Sequence, residues 1–178
     1  GGRPDTLDAE KLKTITAHGA DRMSINPQTM EDHVLRACGR PHKAADVVRA
    51  YHEAMDAGFK AINMDLIAGL PGDSLAGFAG SVANAANLGA DNITVHTLAL
   101  KKGSRIMLQN TRIPTAEEVG KMLDHANPTL RTAGFASIDQ SALTDSSKLL
   151  SCLFMFVGAS SASTGGATKG FVLNKAAN

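Results

Sequence analysis

The chain has 178 residues, enough for one domain with a substantial core. Its 18 basic and 17 acidic side chains give a net charge of +1, which offers no electrostatic reason to expect nucleic acid or a membrane as a partner. The two cysteines, Cys38 and Cys152, form no disulfide framework, and the N-terminal segment lacks the apolar core of a signal peptide. We therefore expect a cytoplasmic protein.

Helical and strand patterns alternate along the chain. The spacing predicts four helices, which end in turn at Gly19, Gly58, Gly89 and Gly134. Between them it predicts three strands, in the segments RMSIN, KAINMDLI and NITVHTL. Such alternation is typical of parallel strands joined by right-handed crossovers. Because a complete eightfold barrel takes about 250 residues, these elements indicate an α/β fold that is either part of a (β/α) barrel or a small open sheet.

Two of the predicted helices carry start signals. Asp73 is expected to cap the third helix, and Thr115 with Glu118 forms a capping box at the fourth. Helical spacing predicts that two sets of apolar residues face the core: Val47, Val48, Tyr51 and Met55 on the second helix, and Leu75, Phe78 and Val82 on the third.

The second predicted strand carries two polar residues, Asn63 and Asp65, on one face. A buried carboxylate is costly unless it is paired, so Asp65 either has a structural partner or faces an open site. The same alternation turns polar residues of the neighbouring strands to that face: Ser24, Asn26, Thr94 and His96. We expect them to converge near the carboxyl ends of the strands, where parallel folds bind ligands. The GLPG segment that follows predicts a turn.

Other residues give weaker evidence of function. The histidines and Cys38 lack the spacing of a structural zinc site, and no metal ligand is predicted. Lys101, Lys102 and Arg105 are interpreted as a solvated loop.

Three segments of the sequence resemble a known family: RMSINPQTM, GRPHKAADVVRAYHEAMDAGFKAINMDLIAGLPG and NITVHTLALKKGSR. They are similar to oxygen-independent coproporphyrinogen III oxidase (coproporphyrinogen dehydrogenase), a radical S-adenosylmethionine enzyme of porphyrin and haem biosynthesis. The resemblance implies a TIM-like partial barrel, an iron-sulfur [4Fe-4S] cluster, S-adenosylmethionine, a tetrapyrrole substrate, and an electron donor such as a flavodoxin or ferredoxin. It implies an oxidoreductase that decarboxylates propionates to vinyl groups.

The resemblance carries cofactor contacts onto four positions. Gln28 matches a cofactor-contacting glutamine, and Arg40 an arginine suited to clamping the methionine carboxylate. Asp65 matches an aspartate that binds polar groups of the cofactor, and Ala99 a position in close contact through its backbone. It carries over no catalytic residue and no metal ligand.

The family's C-x₃-C-x₂-C cluster motif lies upstream in the resemblance and is absent here. We therefore expect residues 1–135 to be the C-terminal half of such a barrel, inactive as a fragment. Residues 136–178 are expected to be an atypical tail, disordered or foreign. Two alternatives stay open: a haem-binding or haem-trafficking relative, with His96, His42 or Cys38 on the iron, and a non-catalytic α/β fragment.

Overall fold

The computed structural model describes residues 2–98, 111–137 and 170–175. Within these ranges the chain forms a 3-10 turn at Pro4–Thr6, five α-helices and five strands. The helices are α1 (Ala9–Ala17), α2 (Asp32–Ala37), α3 (Ala44–Asp56), α4 (Leu75–Leu88) and α5 (Ala116–Thr132). The strands are β1 (Arg22–Gln28), β2 (Ala61–Ala68), β3 (Asn92–Thr97), β4 (Phe135–Ser137) and β5 (Gly170–Lys175).

The three predicted strands lie side by side and parallel, in the order β1, β2, β3. Helices connect them, as the alternating pattern requires. The register places Ser24 beside Asn63 and Asp65 beside Thr94, so the same faces of the three strands align. The predicted α/β class with flanking helices is confirmed.

Beyond β3 the sheet continues with β5 and then with β4. β5 runs antiparallel to both of its neighbours. A repeating unit would place β4, which follows α5, directly beside β3. Here β5 takes that place and β4 lies one position farther out. β5 comes from the segment 136–178, whose foreign or disordered character stays a prediction.

The core lies between the helices and one face of the sheet. Ile62, Met64 and Leu66 alternate along β2 and are fully buried. Helical side chains in the same cluster include Val47 and Ala50 of α3, Phe78 and Val82 of α4, and Met122 and Leu130 of α5. Because the apolar residues of the strands face the helices, their alternating polar residues are left on the opposite face. None of the helices described is long and apolar enough to cross a membrane.

Some predictions of detail were wrong. Met55 and Leu75 were placed on core-facing stripes but are 47% and 43% exposed. In α3, Ala50 and Ala54 are buried instead, because the buried stripe lies one residue earlier than the larger side chains indicated. The N-cap of α4 is Ser74, whose side chain accepts from the Gly77 amide, and not Asp73. The six-residue α2 was not predicted.

The GLPG segment forms the predicted turn at the end of β2. Gly69 and Gly72 both have left-handed backbones, with φ of 88° and 78°. A Cβ atom at Gly69 would lie 2.8 Å from Cγ2 of Val119 on α5. Gly69 is therefore required twice, once by its φ and once by the closeness of α5.

Replacing Gly69 by alanine should destabilise the fold. The left-handed φ costs roughly 1–2 kcal/mol for an L-residue, and the contact with Val119 adds to it. Gly120→Ala is the matched control, because Gly120 lies inside α5 with open space around it. That change should stabilise the chain by roughly 0.5–1 kcal/mol. Urea unfolding of both variants checks this, and equal effects would contradict the role given to Gly69.

Candidate functional site

Polar side chains form one connected network on the face of the sheet opposite the helices. The predicted convergence of β1, β2 and β3 is present: Ser24, Asn63, Asp65 and Thr94 are joined by hydrogen bonds. Asn26 joins the network through the Ser24 hydroxyl, at 3.0 Å. The sequence pattern therefore located the residues that face this side.

Asn63 is the centre of the network. Its Nδ2 donates to Ser24 Oγ at 2.9 Å and to Asp65 Oδ1 at 2.7 Å. Its Oδ1 accepts from Thr94 Oγ1 at 3.1 Å. Both amide hydrogens and one oxygen lone pair are used, which fixes the amide orientation. One side chain thus connects all three parallel strands.

Asp65 has structural partners and spare capacity at the same time. Oδ1 accepts from Asn63, and Oδ2 lies 3.4 Å from the Ser24 hydroxyl, which makes that second contact a long one. A carboxylate has about four acceptor positions, so at least two are left for a ligand. The two readings of Asp65, a structural pair or an open site, are compatible in this geometry.

Gln28 lies at the end of β1 and has a left-handed backbone, with φ of 68°. Among the residues described it is the one non-glycine with a positive φ. The pairing between β1 and β2 shifts just before it, and it pairs with Leu66, the neighbour of Asp65. The side-chain amide of Gln28 makes no hydrogen bond to the described part of the chain. The end of β1 therefore lies beside β2 one residue beyond Asp65.

Arg40 lies in the loop between α2 and α3 and is partly buried rather than exposed. Burial lowers the pKa of its guanidinium, with Cys38 acting in the opposite direction. The guanidinium makes no hydrogen bond or ion pair within the described ranges. A partly buried arginine with unused donors is suited to bind a carboxylate in bidentate fashion. Ala99, the fourth predicted position, lies outside the described residues, as do Lys101, Lys102 and Arg105.

His96 of β3 is the titratable neighbour of Asp65. The register places it diagonally across from Asp65, beside Ile67. Burial lowers the pKa of His96, and the charge of Asp65 opposes that effect. Neither ring nitrogen has a hydrogen-bond partner among the residues described. The imidazole of His96 thus lies on the polar face, with both ring nitrogens unpartnered among the described residues.

The sequence analysis did not predict the burial of several polar residues. Asp73 is 3% exposed, with one oxygen bound to the Ser74 amide at 2.7 Å and the other without a partner. Burial raises the pKa of Asp73 to about 6, the Ser74 amide opposes this, and Glu31 adds to it. Thr29 and Ser81 are fully buried, and His42 is 2% exposed. Their spacing gives no pattern that a single sequence would reveal.

The cysteines of this chain do not fit a [4Fe-4S] cluster, which is held by several cysteine thiolates. The sequence contains two cysteines. Burial raises the pKa of Cys38 to about 11, so its thiol keeps its proton at neutral pH. Over the described ranges, no group of three or more His, Cys, Asp or Glu side chains is placed to hold a metal ion.

Residues 1–83 match the sequence model of the family described as the Radical SAM superfamily. The chain belongs to this superfamily. It is 38% identical to the oxygen-independent coproporphyrinogen-III oxidase-like protein HemZ of Bacillus subtilis over 136 residues, which are 75% of this chain and 27% of HemZ. It is 40% identical to the heme chaperone HemW of the same organism over 98 residues, 55% of this chain and 26% of HemW. The resemblance to this radical SAM branch is confirmed.

The fold agrees with solved radical SAM structures. Coproporphyrinogen III oxidase (HemN) from Escherichia coli superposes with a TM-score of 0.69 and 23% identity, covering 75% of this chain and 32% of that chain. The radical SAM superfamily uses S-adenosylmethionine and a [4Fe-4S] cluster in general. This chain spans about a quarter of the length of each of the two Bacillus relatives.

Asp73→Asn should stabilise the chain at neutral pH. The folded state binds the Asp73 proton more tightly than the unfolded chain, so the stability that this proton contributes is present below about pH 4 and lost as the pH rises through about 6. Asparagine keeps the acceptor for Ser74 without the buried charge. We expect a gain of roughly 1–3 kcal/mol at pH 7 that disappears near pH 4.

Chemical denaturation at both pH values measures this gain. Asp124→Asn, on the exposed side of α5, is the control and should change stability by less than about 0.5 kcal/mol. A loss of stability in Asp73→Asn at pH 7 would contradict a destabilising buried charge whose second oxygen has no partner.

Proposed function

We propose that this chain forms part of the S-adenosylmethionine pocket of a radical SAM oxidoreductase related to coproporphyrinogen dehydrogenase. One observation carries the proposal: Gln28, Arg40 and Asp65 all have polar groups without a partner in the described ranges. Gln28 ends β1, Asp65 lies on the adjacent β2, and Arg40 lies in the loop that His42 connects to Pro27 of β1. These three are the described positions that the family resemblance assigns to the cofactor.

Each of the three groups matches a different part of the cofactor. The Arg40 guanidinium suits the methionine carboxylate, because a planar fork of donors pairs with two oxygens. The free acceptor positions of Asp65 suit amino or hydroxyl donors. Gln28 offers both a donor and an acceptor, and Ala99 is proposed as a backbone contact. When bound and reductively cleaved, S-adenosylmethionine supplies the radical chemistry of this superfamily.

The activity of the whole enzyme is a further proposal. We propose a tetrapyrrole substrate, oxidative decarboxylation of its propionates in haem biosynthesis, and a flavodoxin or ferredoxin as electron donor, in the cytoplasm. The two cysteines of this chain do not fit the ligand set of a [4Fe-4S] cluster, so we assign none of its residues to the cluster. Its own contribution is to bind and orient the cofactor.

Asp65→Asn should weaken S-adenosylmethionine binding tenfold or more. A hydrogen bond to a charged group contributes about 1.5–3 kcal/mol, and about 1.4 kcal/mol corresponds to tenfold in affinity. Asparagine keeps the acceptor for Asn63, so the network is preserved. Titration calorimetry on the 178-residue chain gives the affinity.

Asp124→Asn serves as the control for this titration and should bind like the wild type. No binding by the wild type, or equal binding by Asp65→Asn, would favour a non-catalytic fragment without a ligand.

A second candidate function is haem binding, which the name of the HemW relative favours. Of the three ligands considered, His42 is buried with Nε2 engaged, and Cys38 is protonated. His96 is the remaining ligand, because its ring nitrogens have no partner in the part of the chain that the structure describes.

On this reading, haem added to the chain should give a shifted Soret band that is lost in His96→Ala and kept in His125→Ala, whose histidine is exposed on α5. No shift at micromolar haem would count against this function.

A further inference from the structure

His42 is buried in a loop whose adjacent residues are exposed. Its Nε2 lies 3.1 Å from the carbonyl oxygen of Pro27. Because a carbonyl oxygen can only accept, the ring must carry its proton on Nε2 and donate it there. Burial lowers the pKa of His42, which favours the neutral ring. The nearest acidic group to the other nitrogen is Asp5, at 3.9 Å, beyond hydrogen-bond distance.

The carbonyl that His42 binds belongs to the peptide that enters Gln28. A left-handed backbone is unfavourable for a residue with a Cβ atom, and Gln28 adopts one where the strand pairing shifts. Such conformations persist only where the surroundings determine them. The hydrogen bond from His42 fixes the backbone on the N-terminal side of Gln28.

A second set of buried hydrogen bonds fixes the C-terminal side. Ser81 Oγ of α4 accepts from the Met30 amide at 2.9 Å and donates to the Gly77 carbonyl at 3.0 Å. Since its proton is used there, Thr29 Oγ1 must donate to Ser81 Oγ, at 3.1 Å. Thr29 Oγ1 in turn accepts from the Glu31 amide at 3.2 Å. Every donor in this chain of hydroxyl groups therefore has an acceptor.

We propose that His42 and the Thr29–Ser81 pair are positioning residues that hold Gln28 in its left-handed conformation. His42 is two residues from Arg40, so its hydrogen bond to Pro27 also ties the Arg40 loop to the Gln28 turn. Two residues proposed to bind the same cofactor are thereby linked through one buried ring. The role in cofactor binding rests on the proposed function, whereas the effect on the Gln28 backbone does not.

The conformational role can be measured without any ligand. The His42 hydrogen bond and the Thr29–Ser81 pair are the two clamps on the Gln28 backbone. Glycine adopts a left-handed backbone at no steric cost, so Gln28→Gly removes the strain that these clamps hold in place. In the wild-type background the loss of the His42 hydrogen bond in His42→Leu also lets the Gln28 backbone relax, and the relief of strain offsets part of the cost. We therefore expect His42→Leu to lower the folding equilibrium constant at least threefold more when Gln28 is already glycine, because no strain is left to release. Equal effects in the two backgrounds, from urea unfolding of the four proteins, would overturn the proposal.

The affinity for S-adenosylmethionine distinguishes a positioning role of His42 from a packing role. His42→Gln keeps a donor near the Nε2 position, whereas His42→Leu keeps volume alone. We expect His42→Leu to weaken S-adenosylmethionine binding at least tenfold, with His42→Gln within threefold of the wild type. Equal affinities for the two variants would reduce His42 to a packing residue.

Two outcomes call for a different variant or a different measurement. If His42→Leu does not fold, Ser81→Ala takes its place in the same cycle with Gln28→Gly, because it removes the second clamp with little loss of volume. If the wild-type chain binds no S-adenosylmethionine, the proposed function fails, and the unfolding cycle alone decides whether the clamps act on Gln28.

Discussion

The side-chain amide of Asn63 joins three parallel strands on the face of the sheet opposite the described helices. Sheets of this kind are usually buried on both faces and carry continuous apolar runs. Here alternate positions are polar, and each polar group would be costly without a partner. By donating to Ser24 and Asp65 and accepting from Thr94, Asn63 satisfies neighbours on both sides of its own strand. The polar face can therefore exist beside a tightly packed core, and Asp65 and His96 keep unused hydrogen-bonding positions within the described ranges.

The part of the fold that could be predicted from the sequence is the part governed by local periodicity. Alternation along β2 separates Asn63 and Asp65 from the buried positions, whatever lies farther away in the chain. The capping box of Thr115 and Glu118 is also local: the Thr115 amide donates to Glu118 and the Glu118 amide to Thr115, as predicted. Such features need a few neighbouring residues and no knowledge of the tertiary contacts.

Other features depend on contacts between distant segments, and the sequence could not predict them. Asp and Ser are equally good helix caps, so the choice of Ser74 over Asp73 was decided by the turn that buries Asp73. The backbone of Gln28 depends on His42 and Ser81, which are 14 and 53 residues away along the chain. Residue type alone predicts an ordinary extended conformation for a glutamine at a strand end. The family resemblance named Gln28 for a ligand role but gave no sign of its unusual backbone.

The antiparallel strand β5 has a consequence for how this sheet can grow. Because β5 pairs with β3 along five positions, β3 offers no free edge to a further parallel strand. The opposite edge differs, since Gly2 already pairs with Ile25 of β1 in the parallel sense. Further parallel strands can therefore be added on one side only: β5 blocks the edge of β3, whereas the edge of β1 already accepts parallel pairing.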